Sequence, residues 1–176
     1  AYYADAGIPV NEALLLTLSL PVGMGLGAVA GGSMSDRWFA ERRGAVVAIF
    51  LTLGAVCFLL IYLNPATLDG GRAWGIALMF LAGFFVYGAQ GPLWAMCPDL
   101  VGKNSAGTAV GLMDALAYAG AAAQGPLLGA IVDSPRAYGF AGVFLLLAAI
   151  AGAGALLALV SAVTAGREPA IVPVEN

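Results

Sequence analysis

The chain has 176 residues, 61% hydrophobic and 10% charged, with a formal net charge of −3 and a mean hydropathy of +0.94. A soluble domain is about half apolar and about a quarter charged, so this composition excludes an ordinary soluble fold. The small net charge leaves no nucleic-acid footprint, and a chain without histidine holds no histidine metal site and no histidine acid–base pair. Neither a metal nor a cofactor is expected.

A helix crossing the hydrocarbon needs about 20 apolar residues. The first such run extends from about Ala13 to Ser33. Within it Gly23, Gly27 and Gly31 form two overlapping G-x-x-x-G steps, a spacing that lets a second helix approach closely. The second run is Ala45 to Leu63 and ends at the turn sequence NPATLDGG.

The third run, Ala73 to Cys97, carries Tyr87, Gln90 and Trp94 at i, i+3 and i+7, on one face with Gly83 and Gly91. Pro92 removes a backbone donor there and predicts a bend. A polar aromatic face beside a bend suits a substrate cavity, and the same aromatics serve equally in ordinary packing.

The fourth run, Ala106 to Val132, holds Asp114 about two turns from its start. A charge near the bilayer centre costs on the order of 3 kcal/mol. Gly107, Gly111, Tyr118, Ala121 and Gly125 share its side of the helix, so this small-residue face is expected to turn toward protein. Asp114 reads either as part of a cavity or as a helix-packing hydrogen bond. Gln124 reads first as a bond to a neighbouring helix. The fifth run is Phe140 to Thr164, and residues 167–176 form a polar, proline-bearing tail. Cys57 and Cys97 fall in apolar runs, as buried thiols do. The runs are too long for strands, and outer-membrane strands alternate apolar and polar residues.

Successive connections alternate between the two sides of the bilayer. One side collects Arg37, Arg42, Arg43, Lys103 and Arg167, the other Arg72 and Arg136. Five against two makes the first side cytoplasmic, with the N-terminus outside and the C-terminus inside the cell membrane. An odd number of spans with an outside start is the pattern of the second part of a longer protein.

The densest charge lies in GGSMSDRWFAERRGAV, residues 31–46. A positive-inside anchor explains the arginines but not the order Gly32, Asp36, Arg37, which gives G-x-x-x-D-R at a helix end. A glycine admits a neighbouring helix, and an aspartate there accepts hydrogen bonds and pairs with Arg37 or Arg43. Such a cluster latches two helices.

Gly32 to Arg37 resembles the loop signature of the major facilitator superfamily. Ser35-Asp36 through Phe39 to Arg43-Gly44-Ala45, Asn64-Pro65-Ala66, Gly83-Phe84, Tyr87-Gly88, Ala106 to Ala109 with Gly111, Asp114, and Gly125 to Leu128 are similar to the organophosphate:phosphate antiporter family. The resemblance covers almost the whole chain. It implies an all-α integral membrane fold, with five transmembrane helices corresponding to helices 8–12 of a twelve-helix transporter. Residues 1–166 are then a partial C-terminal transmembrane half. It further implies a secondary antiporter exchanging a sugar phosphate or glycerol phosphate for inorganic phosphate, not an enzyme, with its phosphate-binding arginines upstream of Ala1. A membrane sensor of sugar phosphate with the same fold is the alternative. Where the family has Tyr-Gly-Pro, this chain has Tyr87-Gly88-Ala89-Gln90-Gly91-Pro92, which displaces the bend along that helix. The partners implied are the lipid bilayer, the missing N-terminal half and a small anionic substrate. The cavity candidates are Tyr87, Gln90, Trp94, Asp114, Tyr118 and Gln124.

Overall fold

A computed structural model describes residues 9–39, 42–63, 72–102, 104–133 and 140–165. They form six helices: α1 (Val10–Trp38), α2 (Arg43–Leu63), α3 (Arg72–Gly88), α4 (Gln90–Val101), α5 (Ala106–Val132) and α6 (Phe140–Ala165). The helices α3 and α4 together make one membrane-length segment, so the protein is an all-α membrane protein with five spans. Lys103, Arg136, Arg167 and the tail lie outside the described residues.

Two spans run past their expected ends. α1 continues to Trp38 instead of stopping at Ser33, and α4 continues to Val101 instead of Cys97. Hydropathy falls where charged residues begin, but charge does not stop the helical hydrogen-bond ladder, and α4 continues past the one rung that Pro98 removes, with Gly102 N–H donating to the Pro98 carbonyl at 3.0 Å. The charged motif therefore rides on rigid helix ends, and the connection between α1 and α2 shrinks to residues 39–42.

α1 and α3 run parallel, joined by a seam of bare backbone. A Cβ placed on Gly23, Gly27 or Gly31 would run into the carbonyl oxygens of Phe80, Phe84 and Gly88 respectively. The four-residue step repeats on both helices, so the expected glycine packing is present and its partner is α3. A Cβ on Gly83 would meet the Leu20 carbonyl from the opposite direction.

α2 is the central helix. Its inner face buries Val46, Val47 and Phe50 with Ala89, then Cys57 and Phe58 with Ala82 and Ala148, then Ile61 with Leu78 and Met79. Phe50 stacks on Phe84 with ring centroids 6.1 Å apart and meets Phe85 edge-on at 5.8 Å. Such aromatic pairs add roughly 0.5–1.5 kcal/mol beyond the area they bury. α6 packs antiparallel against α2; a Cβ on Gly44 would lie 3.3 Å from the Ala158 carbonyl and from the Ala162 methyl.

α5 stands apart. It touches only α4 and α6 to any extent and buries none of its residues. The small-residue face expected to turn toward protein is uncovered here: a Cβ on Gly107, Gly111 or Gly125 meets nothing within 4 Å, and Tyr118 is 71% exposed. Glycine spacing permits a close neighbour and does not supply one.

Candidate functional site

The turn from α1 to α2 is tight. Phe39 N–H donates to the Ser35 carbonyl at 3.1 Å, and Arg42 N–H donates to the Phe39 carbonyl at 2.8 Å. It brings the first residue of α2 back beside the last turn of α1. Arg43 Nη1 donates to Asp36 Oδ1 at 2.8 Å, and Arg43 Nε lies 3.1 Å from Asp99 Oδ2, an ion pair whose N–H is not aligned as a hydrogen bond. One guanidinium thus ties together the ends of α1, α2 and α4. Arg43 is 19% exposed, while Asp36 and Asp99 are 66% and 59% exposed.

All three charges sit at the wrong end of their helices. Asp36 and Asp99 lie in C-terminal turns, where the helix dipole disfavours an anion, and Arg43 lies at an N-terminus, where it disfavours a cation. Each placement alone costs on the order of 0.3–1 kcal/mol. The pairs offset that cost between helices, so the cluster serves the joining of α1, α2 and α4 and not the stability of any one of them. Arg37 is exposed and makes no ion pair among the described residues. Beneath the cluster Ser35 is fully buried, its Oγ without a partner among the described residues.

α4 is anchored at its other end by a break. Pro92 has no N–H for the carbonyl four residues back, that of Gly88, and the helix is interrupted at Ala89. Ala89 N–H still donates to Phe85 O at 3.3 Å, and Leu93 N–H to Ala89 O at 3.1 Å. The freed Gly88 carbonyl is the atom that abuts Gly31. A Cβ on Gly88 would strike the Phe50 ring, and one on Gly91 would come within 3.3 Å of Gly32 Cα. The break is therefore clasped by α1 and α2, while the end of α4 is held by Arg43.

The cavity candidates fall on two adjoining elements. Tyr87 and Gln90 flank the break and are exposed, and Trp94 is half-buried. On α5, Asp114 is half-buried, Tyr118 and Gln124 are exposed, and Asp114 has no hydrogen bond or ion pair among the described residues. At 1.5 Å per residue from the shared α4–α5 end, Trp94 and Asp114 lie at depths of roughly 10 and 12 Å, Gln90 and Tyr118 at roughly 16 and 18 Å. Gln124 lies at roughly 27 Å, outside that group. No hydrogen bond joins any two of the six among the described residues.

No protein-family model matches the chain, and no solved structure matches it. Curated proteins do. Its relatives are membrane transporters. The chain is 33% identical over 108 residues to the glycerol-3-phosphate transporter of Bacillus subtilis, a match covering 61% of this chain and 24% of that protein. It is 33% identical over 135 residues to a probable hexose phosphate transport protein of Chlamydia pneumoniae, covering 76% and 28%. It is 29% identical over 151 residues to the hexuronate transporter of B. subtilis, covering 84% and 35%. The matches span between about a quarter and about a third of those relatives' length.

Asp99 is the residue that sequence reasoning missed. Its signal was available: the alternation of spans puts the end of the third span on the same side as Asp36 and Arg43. Gly32 was expected to admit the neighbour. A Cβ at Gly32 would meet nothing within 4 Å, whereas one at Gly31 would collide with α3.

Proposed function

We propose that the chain is part of a secondary transporter of the major facilitator superfamily that moves a small organic anion, its five spans corresponding to helices 8–12 of a twelve-helix protein. Under this reading residues 1–166 belong to the C-terminal half and residues 167–176 are its tail. The observation that carries the reading is the pair of 33% identical relatives, whose names give glycerol 3-phosphate and hexose phosphate as cargo. The cargo is then a sugar phosphate or glycerol phosphate, exchanged for inorganic phosphate. Arg37, Arg42 and Arg43 all lie at one end of the bundle, so the cation that holds a phosphate at depth comes from outside the described residues.

Alternating access in such proteins is a rocking of one half against the other around a midplane site. The half-helix α4 suits a moving part. It is hinged at Ala89, lined by Tyr87, Gln90 and Trp94, and latched at its tip through Asp99 and Arg43. Opening at that end breaks the Asp99 pair and leaves Asp36 on Arg43. Exposed pairs are worth about 0–1 kcal/mol, small for the fold and substantial for two states only a few kcal/mol apart. Asp114 and Tyr118 on α5 supply the facing polar wall. The latch end is cytoplasmic under the positive-inside rule.

The test is exchange. The complete polypeptide carrying this chain, reconstituted into vesicles loaded with inorganic phosphate, takes up labelled glycerol 3-phosphate or glucose 6-phosphate, and phosphate leaves in return. Uptake that is indifferent to internal phosphate removes the antiport; no uptake of either ester removes the cargo. A cysteine at Asp36 labels from the cytoplasm and one at Asp69 from outside; labelling from one side breaks the topology.

A further inference from the structure

A further cavity lies away from the six cavity candidates. It is a groove of about 750 Å³ between α2 and α6, with Ala48, Val56, Ala148 and Gly152 among its walls and Leu156 on its rim. Thr52, the one polar side chain on its wall among the described residues, donates its hydroxyl to the Ala48 carbonyl at 2.7 Å and so presents carbon to the groove. Small residues make the floor: Ala148 and Ala155 are buried, whereas Ile49, Leu156 and Leu159 stand out along the edges.

The groove lies between two membrane spans, so what fills it is hydrocarbon or another helix. The charge at its end decides between them. On α2 the face bearing Ile49 and Val56 continues back, seven residues earlier, to Arg42, which begins the first turn by accepting Ala45 N–H at 2.9 Å. Arg42 is exposed and makes no ion pair among the described residues. The described carboxylates nearest in the fold, Asp36 and Asp99, are already held by Arg43. A second copy of the chain would bring the same arginines against this face. A lipid phosphate brings the opposite charge. The groove opens roughly 9 Å along α2 from Arg42, comparable with the interfacial layer of about 5–8 Å between headgroup and hydrocarbon, and its stretch from Ala48 to Leu59 is about 16 Å, one leaflet deep.

We propose that the α2–α6 groove binds an anionic phospholipid of the leaflet at the α1–α2 end, an acyl chain lying in the groove and the phosphate on Arg42. The site is independent of what the protein transports. The purified complete polypeptide is equilibrated with vesicles of equal phosphatidylglycerol and phosphatidylcholine, and the lipid it retains is counted by native mass spectrometry. The wild type keeps phosphatidylglycerol over phosphatidylcholine about fivefold, Arg42→Lys preserves the preference, and Arg42→Gln brings it to about one. Gly152→Leu, which fills the floor, lowers retention of both lipids. Equal retention of the two lipids by the wild type overturns the proposal, as does a preference that survives Arg42→Gln. So does retention of no lipid by a protein that a cysteine at Leu156 cross-links into dimers. Should Gly152→Leu fail to fold, the two Arg42 variants decide alone.

Discussion

Two helices carry glycine at helical spacing and meet opposite fates. On α1, Gly23, Gly27 and Gly31 are closed against the backbone of α3. On α5, Gly107, Gly111 and Gly125 face open space, beside an aspartate with no partner among the described residues. Gly107 and Gly111 repeat the four-residue step of the α1 seam, so that step alone is not the cause of the packing. What differs is the neighbour: α3 answers the α1 seam with carbonyls at the same four-residue step, and nothing described answers α5. Under the proposed reading, the surface that covers this face belongs to the rest of a longer protein, and the relatives are three to four times the matched length.

The largest expected effect follows from that face. The 176-residue chain reconstituted alone exchanges no phosphate, since α5 has nothing opposite it and no described cation reaches the depth of Asp114. Exchange at the rate of the complete polypeptide would show that α5 needs no partner, and would remove the argument for one.

Next come substitutions that set the two faces against each other. Gly27→Leu drives a side chain into the Phe84 carbonyl, and backbone does not yield as a side chain does. Overpacking costs typically 1–3 kcal/mol and more where no atom can move, so the complete polypeptide is expected to lose at least ~3 kcal/mol or its folded yield, read by thermal unfolding in detergent. Gly111→Leu is harmless in the structure described and is expected to cost about 1–3 kcal/mol once α5 is covered in the complete polypeptide. A silent Gly111→Leu would mean the face meets lipid or water, and Asp114 would lose its protein surroundings.

Much of the bundle was legible in the sequence because the bilayer imposes a length on each apolar run. The fourth span, Ala106–Val132, ends where the composition changes. The first and third did not, because charge ends a hydropathy run without ending a helix, as Arg37 and Asp99 demonstrate. The break at Ala89 was legible from Pro92 through the carbonyl four residues back. The latch was half legible. Of the two arginines offered to Asp36, Arg37 is adjacent and points about 100° away on the helix, and the pair forms with Arg43. The true partner is seven residues on, across a turn, and the second acid comes from a helix that no local pattern connects to it. That α5's face stays uncovered among the described residues was not legible, because glycine spacing permits a neighbour without naming one.

The latch itself divides into two pairs of unequal consequence. Arg43→Gln removes both and leaves two carboxylates at helix C-termini, where the dipole disfavours them. Turnover is expected to fall about tenfold, corresponding to about 1.4 kcal/mol, with equilibrium binding of glycerol 3-phosphate little changed. Arg43→Lys is not a substitute for the arginine fork, since a single ammonium reaches two carboxylates less well. Unchanged turnover in Arg43→Gln would reduce the arginines of this end to topology signals.

The smallest effect is expected of Asp36→Asn. Asparagine keeps the size and an oxygen that still accepts from Arg43 Nη1, so only the charge is lost, and α1 is already fixed to α3 along the glycine seam. The remaining Asp99 pair still holds α4. The fold survives, because an exposed pair is worth about 0–1 kcal/mol. Turnover should fall about two- to fivefold, while substrate affinity changes by less than about tenfold. Asp99→Asn weakens the one ion pair on the half-helix, which is otherwise held by its packing on α1, α2 and α5, and turnover should fall further. If Asp36→Asn impairs turnover more than Asp99→Asn, then the element held in check is α1 and not α4, and the seam rather than the hinge is where the bundle moves.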